Sequence, residues 1–375
     1  MTEKKMNRRT FLRTQAISTL AIGSMVSALG RSEKNIEQPA EQILNYQPEM
    51  SYRQIGNSGI WLSLLSLGGL DVVPEVHDYA IEKGVNLVHI STGYKGGASI
   101  RNLARVLKQK RHKVYVAVKD NFSNIDEVLG LLGIDTIDFL MFNRHKSQAI
   151  DNEKIAEEFE RYRKAGKVRY AGLTSHGHVQ ACTRIGIESG LYSVVMPSLS
   201  QPGYEEMQPE LDLAGRKNIG VIAMKTLKGI KERDLQVAFL KKIAQHPAIT
   251  TVNKGVSSYG QFDDYFQALQ ETCSGSEEEA LQHHRRKNRA ENCMMCGRCE
   301  SACPQEIEIT ATLRCKDYYL EQLKDIDAVR ETLRTIAPHQ SAANCQSCRR
   351  CEAVCPNGIA VCERLNEARE QFTTV

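Results

Sequence analysis

Eight cysteines near the C-terminal end of the chain form two runs with identical spacing. Both runs read CxxCxxCxxxCP, and their members are Cys293, Cys296, Cys299 and Cys303 before Pro304, and Cys345, Cys348, Cys351 and Cys355 before Pro356. Three thiolates at this spacing can wrap one 4Fe–4S cluster, and where two runs are present the fourth cysteine usually crosses to the other cluster. The proline that follows fixes φ and removes a backbone donor, which helps to turn the chain out of the site. The two runs therefore predict two 4Fe–4S clusters.

Two other roles for these cysteines stay open at this point. Zinc also binds clustered thiolates, although its sites use four ligands in CxxC pairs rather than two runs of four. Disulfides are the alternative in an exported chain, although cysteines within one run are poorly placed to bridge one another. The remaining four of the 12 cysteines are expected to be small buried side chains, and they are Cys182, Cys273, Cys315 and Cys362.

The N-terminus carries the basic string NRRTFLR at residues 7–13, followed by an apolar stretch from about Ala16 to Leu29. A charged region, an apolar region and a small-residue end are typical of a signal peptide, and the Arg-Arg-x-Phe-Leu string resembles a twin-arginine signal. The alternatives are a basic N-terminal helix of a cytosolic protein and a retained membrane anchor. Since the twin-arginine route carries folded proteins, clusters assembled in the cytosol could survive export. We therefore expect a periplasmic or otherwise exported protein.

Length and charge indicate an ordinary globular protein with one large and one small domain. The chain has 375 residues, of which 41% are hydrophobic and 25% charged. Residues 1–30 hold five Lys/Arg and one Glu, so the rest carries 44 basic and 44 acidic residues. The apparent basicity belongs to the predicted signal, and nothing in the charge points to nucleic acid as a partner.

Between about residues 50 and 272, short apolar runs alternate with segments of helical period. Eight runs read as strands, and they are Ser63–Leu67, Asn86–Ile90, Val114–Val118, Ile137–Phe142, Val168–Leu173, Ser193–Pro197, Gly220–Met224 and Ile249–Val252. Eight strand–helix units in series predict an α/β fold, a (β/α)8 TIM barrel. A doubly wound open sheet is the alternative, but no phosphate-binding glycine motif follows the first strand.

The predicted domain layout follows from these patterns. A signal peptide (residues 1–30) and a linker (31–49) precede the barrel (50–272), and a polar linker (273–289) leads to the cluster domain (290–375). The two cysteine runs are separated by the 41 residues from Pro304 to Asn344, of which Ile309–Ile336 have helical period and no strand signature. The cluster domain is therefore expected to be a small, mostly helical ferredoxin-type module.

Five segments of the barrel region carry a family resemblance. They are SYRQIGNSGI (51–60), GVNLVHISTGY (84–94), GKVRYAGLTS (166–175), GVIAMKT (220–226) and GVSSYGQ (255–261). These segments resemble the aldo/keto reductase barrel over about residues 50–272. With its C-terminal module and N-terminal signal, the whole chain resembles an iron–sulfur aldo/keto reductase-like protein exported by the twin-arginine route.

The resemblance implies a catalytic tetrad at the C-terminal mouth of the barrel: an aspartate, a tyrosine five residues later, a lysine and a histidine. The tyrosine protonates a carbonyl oxygen while a nicotinamide gives hydride, and the lysine cation lowers the tyrosine pKa from about 10. The tyrosine falls at Tyr94 and the lysine at Lys119. His89 stands where the aspartate belongs and Asn143 where the histidine belongs, with His145 two residues further on.

The resemblance also bears on the nicotinamide. Met196 replaces the glutamine that holds the nicotinamide amide in the family. Ser257, Ser258 and Gln261 resemble the loop for the adenosine end, and Lys254 stands where it could meet a 2′-phosphate. The alternative is an ordinary strand-to-helix turn in which Ser257 or Ser258 is the N-cap. NADP(H) is therefore a candidate cofactor beside the two clusters.

Three functions compete on this reading. The leading one is an oxidoreductase whose two 4Fe–4S clusters exchange electrons with a small-molecule substrate at the barrel mouth. The alternatives are an electron-transfer or docking subunit with a catalytically dead barrel, and an NADPH-dependent carbonyl reductase with structural clusters. An exported enzyme has no obvious pool to regenerate a dissociable nicotinamide, which favours the first. Such an enzyme needs a redox partner protein or a membrane electron carrier.

Overall fold

The structure, a computed structural model, describes residues 40–56, 58–120, 124–146 and 150–373. The predicted signal at residues 1–30 lies outside these residues. Within the described part of the chain, no helix is both long and apolar enough to cross a membrane.

Eight parallel strands close into a barrel in the order β10-β3-β4-β5-β6-β7-β8-β9. The barrel strands are β3 (Leu65–Gly68), β4 (Leu87–Ser91), β5 (Tyr115–Asp120), β6 (Ile137–Asn143), β7 (Val168–Ser175), β8 (Val194–Pro197), β9 (Gly220–Ala223) and β10 (Ile249–Lys254). Each overlaps one of the eight predicted strands, so the barrel prediction is confirmed. The open-sheet alternative is wrong because β10 pairs with β3 and closes the sheet.

An antiparallel hairpin of β1 (Tyr52–Gln54) and β2 (Trp61–Ser63) precedes the barrel. Its apolar side chains Ile55, Ile60 and Leu62 share one buried cluster with barrel residues such as Phe139 and Met141. The interior of the barrel is therefore a packed apolar core rather than a channel, and chemistry is left to the opposite, C-terminal ends of the strands.

Helices surround the barrel and bury the outer faces of its strands. The helices before the cysteine runs are Pro74–Glu82, Ala98–Lys110, Ile125–Leu132, Asn152–Lys164, Val179–Glu188, Gln201–Tyr204, Gln208–Lys217, Arg233–Gln245, Tyr259–Gln270 and Gly275–Asn288. Strand β6 shows why the chain is folded this way, since it is buried from Ile137 to Phe142 and needs cover on both faces.

The predicted linker at residues 273–289 is instead largely the helix Gly275–Asn288. Ser274 and Glu277 form a reciprocal capping box at its start, and Leu281 and His284 are buried. The His284 ring bonds Gln201 Oε1 at 2.8 Å. The polar composition suggested a linker because only a narrow side of this helix is buried. The described part of the predicted linker 31–49 also packs, since Ile43 is buried.

The C-terminal module is helical, as predicted. Residues 255–373, all of which the structure describes, contain no strand. Its elements are the α-helices Arg298–Ser301, Ile309–Arg314, Ile326–Arg334, Arg350–Ala353 and Val361–Phe372 and the π-helix Cys315–Leu323. Continuous π-helix is rare and often occurs at functional sites.

Candidate functional site

The cysteines gather into two cavities, each lined by four thiols from the two runs. Cys293, Cys296 and Cys299 of the first run share one cavity with Cys355, the fourth cysteine of the second. We call this the proximal cavity. The other, the distal cavity, joins Cys345, Cys348 and Cys351 to Cys303. The fourth cysteine of each run thus lines the cavity of the other run, as the predicted crossing requires, and ligation itself stays a prediction.

The chemistry of both cavities fits a 4Fe–4S cluster. Four thiolates are the ligand set of such a cluster, and apolar side chains line the rest of each wall, among them Leu313 and Ile359 in the proximal cavity and Leu365 in the distal one. All twelve cysteines are free of disulfide bonds. Of the other four, Cys182, Cys315 and Cys362 are buried as expected, whereas Cys273 is partly exposed.

The proximal cavity lies against the barrel. Met295, within the first cysteine run, accepts a hydrogen bond from Val179 N at 3.1 Å. The imidazole of His178, which follows β7, bonds the carboxylate of Glu300 at 2.6 Å. Cys293 packs against the hydrophobic cores of both the barrel and the module. A cluster held here would sit beside the barrel.

The predicted pair Tyr94 and Lys119 comes together at the mouth of the barrel. Tyr94 follows β4 and Lys119 belongs to β5, so the parallel pairing of these strands brings the two side chains to one edge. The Lys119 Nζ lies 4.8 Å from the centre of the Tyr94 ring. Burial raises the pKa of Tyr94, which opposes the lowering expected from the lysine, and burial lowers the pKa of Lys119. Tyr94 is therefore protonated at neutral pH, as an ordinary phenol is, and its raised pKa makes it a weaker acid than a tyrosine whose pKa a lysine has lowered.

The two altered tetrad positions lie at the same mouth. The His89 ring lies 6.4 Å from the Tyr94 ring between centroids. Burial, together with the charge of Lys119, lowers the pKa of His89 to about 3. The imidazole is therefore neutral near pH 7 and cannot supply the negative charge of the aspartate that the resemblance places at this position. Asn143, at the end of β6, lines the mouth together with His145.

Helical residues between the two cysteine runs cover this mouth. Arg314, Tyr318 and Tyr319 line one cavity of about 500 Å³ together with Tyr94 and Lys119. We call the segment Ile309–Arg334 the lid. Sequence reasoning did not find these lid residues. The feature of the sequence that could have indicated them is an arginine followed by two adjacent tyrosines, within the helical insert between the cysteine runs.

Comparison with known proteins identifies the families of the barrel and of the cluster module. Residues 71–274 match the aldo/keto reductase family, and residues 289–359 and 258–308 match two 4Fe-4S dicluster domain families. The chain belongs to the aldo/keto reductase family. No curated protein gave a significant match.

Solved aldo-keto reductases share the fold of the barrel. The holo form of one from Bacillus halodurans has 18% identity and a TM-score of 0.53, covering 63% of this chain and 96% of its own. One from Pseudomonas aeruginosa has 17% identity and a TM-score of 0.51, covering 62% of this chain and 97% of its own. At such identity the likeness concerns the fold.

A second cavity of about 390 Å³ runs from Tyr94 along the ends of the last barrel strands. It is lined by Met196, by three lysines (Lys225, Lys228 and Lys254), and by Tyr318, which also lines the larger cavity. Burial lowers the pKa of Lys254 to about 7, and its Nζ lies 4.9 Å from the centre of the Tyr265 ring. Of the four predicted nicotinamide contacts, only Lys254 lines this groove of the aldo/keto reductase barrel.

The other three predicted contacts bond one another at the start of the helix Tyr259–Gln270. Ser258 Oγ accepts a hydrogen bond from Gln261 N, so Ser258 is the N-cap. The Gln261 side chain accepts from Ser257 N at 2.9 Å and donates to the Tyr265 hydroxyl at 3.2 Å. In this structure Ser257, Ser258 and Gln261 therefore form the helix N-terminus that the alternative interpretation predicts. Their contact with a nucleotide stays a prediction.

Proposed function

We propose that this aldo/keto reductase family member is an iron–sulfur oxidoreductase that exchanges electrons with a small-molecule substrate in the 500 Å³ cavity. One observation carries the proposal. The lid that closes the catalytic mouth is the stretch of chain between the two cysteine runs, and its residues Arg314, Tyr318 and Tyr319 face Tyr94 and Lys119 across one cavity. The substrate site is therefore built jointly by the barrel and the module.

In this proposal the side chains at the mouth handle protons and position the substrate. When bound, the two clusters would together supply the two electrons that reduce a carbonyl to an alcohol, one from each cluster, with one proton taken up at the oxygen and a second, drawn from solvent, at the carbon. Tyr94 is the proposed proton donor to the substrate oxygen, because a phenol is protonated at neutral pH and Tyr94 lines the cavity beside Lys119. Lys119, beside the Tyr94 ring, stabilises negative charge that develops on that oxygen. The lid tyrosines exclude water from the reacting atoms.

The positions of the two cavities support an order for the electrons. The proximal cavity borders the barrel, where burial raises the pKa of the Cys293 thiol and the nearby charge of Lys228 opposes that rise. Lys228 itself lines the groove that leads to Tyr94. The distal cavity includes Cys348, which is exposed to solvent. We propose that an external redox protein or membrane carrier meets the distal side, and that the protein works after export by the twin-arginine route.

The test uses full-length, cluster-loaded protein under anaerobic conditions. The protein is reduced with dithionite and desalted, and reoxidation of its clusters by a panel of aldehydes, ketones and 2-oxo acids is followed by EPR. We expect Tyr94→Phe to slow reoxidation by about 10²- to 10⁴-fold, the usual contribution of a general acid. Tyr259→Phe, at an exposed tyrosine, is the matched control and leaves the rate unchanged.

If the protein holds its full iron content and no compound of the panel reoxidises its clusters, the result would favour an electron-transfer or docking subunit with a catalytically dead barrel. Equal rates in Tyr94→Phe and the parent protein would contradict the role of Tyr94.

A second candidate cofactor role rests on the lysine-lined groove. Its three lysines and the absence of carboxylates among its described lining residues favour a phosphate-bearing ligand such as NADP(H). We propose that such a nucleotide, where it binds, occupies this groove with Lys254 on a phosphate. Equilibrium dialysis of NADP⁺ against Lys254→Met tests this. Binding that is unaffected by Lys254→Met would exclude the proposed contact.

A further inference from the structure

Three cations from three separate elements converge on the 500 Å³ cavity. Lys119 comes from β5, Lys225 follows β9, and Arg314 ends the first helix of the lid. Lys225 has a φ of 54°, a left-handed conformation that is uncommon for a residue other than glycine. Its Nζ lies 3.3 Å from the centre of the Tyr318 ring. The barrel and the module thus both bring basic side chains to one enclosed space. Burial lowers the pKa of Lys119 and lowers that of Lys225 well below its ordinary value, so an anion in the cavity would favour their charged forms.

Arg314 is buried, and it forms no ion pair with any side chain that the structure describes. Only 6% of the residue is exposed, and its Nε has no hydrogen-bond partner among the described residues. Its guanidinium carbon lies 5.7 Å from the centre of the Tyr319 ring. A buried guanidinium is costly unless an anion or several acceptors face it. An anionic ligand would remove that cost.

The carboxylates at the edge of the cavity do not neutralise these cations. Asp325 and Glu331 line it, but the Asp325 side chain accepts a hydrogen bond from Ala328 N as an N-cap, and Glu331 is exposed. Among the described residues, neither carboxylate forms an ion pair with Lys119, Lys225 or Arg314. Among the described side chains, therefore, no carboxylate neutralises Lys119, Lys225 or Arg314.

The two histidines of the cavity face the same excess of positive charge. Burial first, and then the charges of Lys119, Lys225 and Arg314, lower the pKa of both His145 and His176 well below the ordinary value. The Nδ1 of His176 also has no hydrogen-bond partner among the described residues. The cavity thus combines unpaired cations with a buried polar atom that still needs a partner.

We propose that the substrate carries an oxyanionic group, most simply a carboxylate, which binds Arg314 and Lys225 while the reacting carbon faces Tyr94. Arg314 is then a specificity residue that the cluster module contributes to the barrel site. Guanidinium groups suit this task because their parallel N–H groups match the two oxygens of a carboxylate. That this anionic ligand is the substrate rests on the proposed function, whereas its binding to Arg314 and Lys225 does not.

The test measures binding, which is independent of electron transfer. Anaerobic calorimetry on the cluster-loaded full chain compares pyruvate, 2-oxoglutarate and phenylpyruvate with their methyl esters, and adds inorganic phosphate and NADP⁺. We expect at least one acid to bind more tightly than its ester. Arg314→Gln should weaken that binding by about 10- to 100-fold, as expected for a hydrogen bond to a charged group. Arg314→Lys should restore part of it.

The controls separate a local effect from misfolding. Arg334→Gln removes an exposed arginine from the same lid and should bind the acid like the parent protein. Iron content is measured for every variant, and Lys225→Gln gives a second, independent loss of charge. Preferential binding of inorganic phosphate that depends on Arg314 would support the oxyanion site and assign it to a phosphorylated substrate.

Two results would overturn the inference. One is that no acid binds more tightly than its ester. The other is that NADP⁺ alone binds, because the cations would then serve the nucleotide. If an acid binds through Arg314 but no compound reoxidises the clusters, the site stands and the proposed function fails. If neutral carbonyl compounds reoxidise the clusters and acids do not bind, the function stands and this inference fails.

Discussion

The two cluster cavities are built alike from segments that lie 52 positions apart, as Cys293 and Cys345 illustrate. In each, the glutamate after the third cysteine accepts a hydrogen bond from the backbone ten residues on. Glu300 accepts from Thr310 N at 2.6 Å, and Glu352 accepts from Cys362 N at 3.0 Å. Both glutamates therefore stabilise the start of the helix that follows their run.

The surroundings of the two cavities differ. Glu300 of the proximal run also bonds His178 of the barrel, whereas Glu352 lies 3.9 Å from Arg349 of its own run. Cys348 is exposed, and its counterpart Cys296 is only partly so. Identical ligands are thus placed in an inner and an outer environment. The comparison teaches that position relative to the barrel, rather than the motif, should separate the roles of the two clusters.

Loss of one ligand from each cavity should give the largest effect. Cys296→Ser and Cys348→Ser should each lower the iron content from about eight to about four atoms per chain, since each substitution removes one ligand of one four-iron cluster. Only Cys296→Ser should abolish reoxidation by the substrate, because it removes the cluster beside the barrel. Iron assay and anaerobic EPR measure both. Equal loss of reoxidation in the two variants after chemical reduction would contradict the inner and outer assignment.

The second-largest effect should be a difference in the rate at which the two clusters are lost in air. The distal cluster should be lost first, because solvent reaches Cys348. We expect about half of the iron to be released in a fast phase when the protein is aerated with a chelator, as two four-iron clusters imply. EPR of samples taken after that phase should show a single cluster. A single phase that releases all the iron would contradict the difference in access.

The matched glutamates should show a smaller difference, in stability. Glu300→Gln should lower the free energy of unfolding by about 1–3 kcal/mol, because it weakens bonds to both His178 and Thr310 in a buried setting. Glu352→Gln should cost about 1 kcal/mol or less, as for the loss of one helix cap. Thermal unfolding of the cluster-loaded proteins compares them. A larger loss in Glu352→Gln would sink the idea that Glu300 joins module to barrel.

The smallest effect should come from the pair Thr310 and Cys362. Each lines its own cavity at an equivalent position, and Cys362 Sγ lies 3.9 Å from Cys351 Sγ. Cys362→Thr should leave the iron content unchanged and slightly shift the potential of the distal cluster alone, since hydrogen bonds near the cluster tune it. Redox titration followed by EPR measures this. A fall in iron would show that Cys362 is itself a ligand.

The barrel and the crossed cysteines could be predicted because both depend on local patterns. Eight apolar runs mark the strands, and fixed spacing marks the cluster ligands. Contacts between distant segments leave no such pattern. His178 and Glu300, which bond one another, are 122 residues apart in sequence. The sequence of the lid likewise does not indicate which side of its helices contacts the barrel. Ser257, Ser258 and Gln261 show a further limit, because the same residues suit a nucleotide loop and a helix cap.

The crossed ligation has a consequence for assembly. Cys303 and Cys345, which flank the 41-residue insert, line the same cavity, so a cluster bound there would close the insert into a loop. Closing a loop restricts the unfolded chain, and binding of metal is then coupled to folding. An apoprotein would lack the cluster that joins the two ends of the insert. Insertion of the clusters would therefore complete the substrate pocket as well as the electron carriers. A chain without its clusters would then have no complete pocket, and so it would not bind a substrate that it could not turn over.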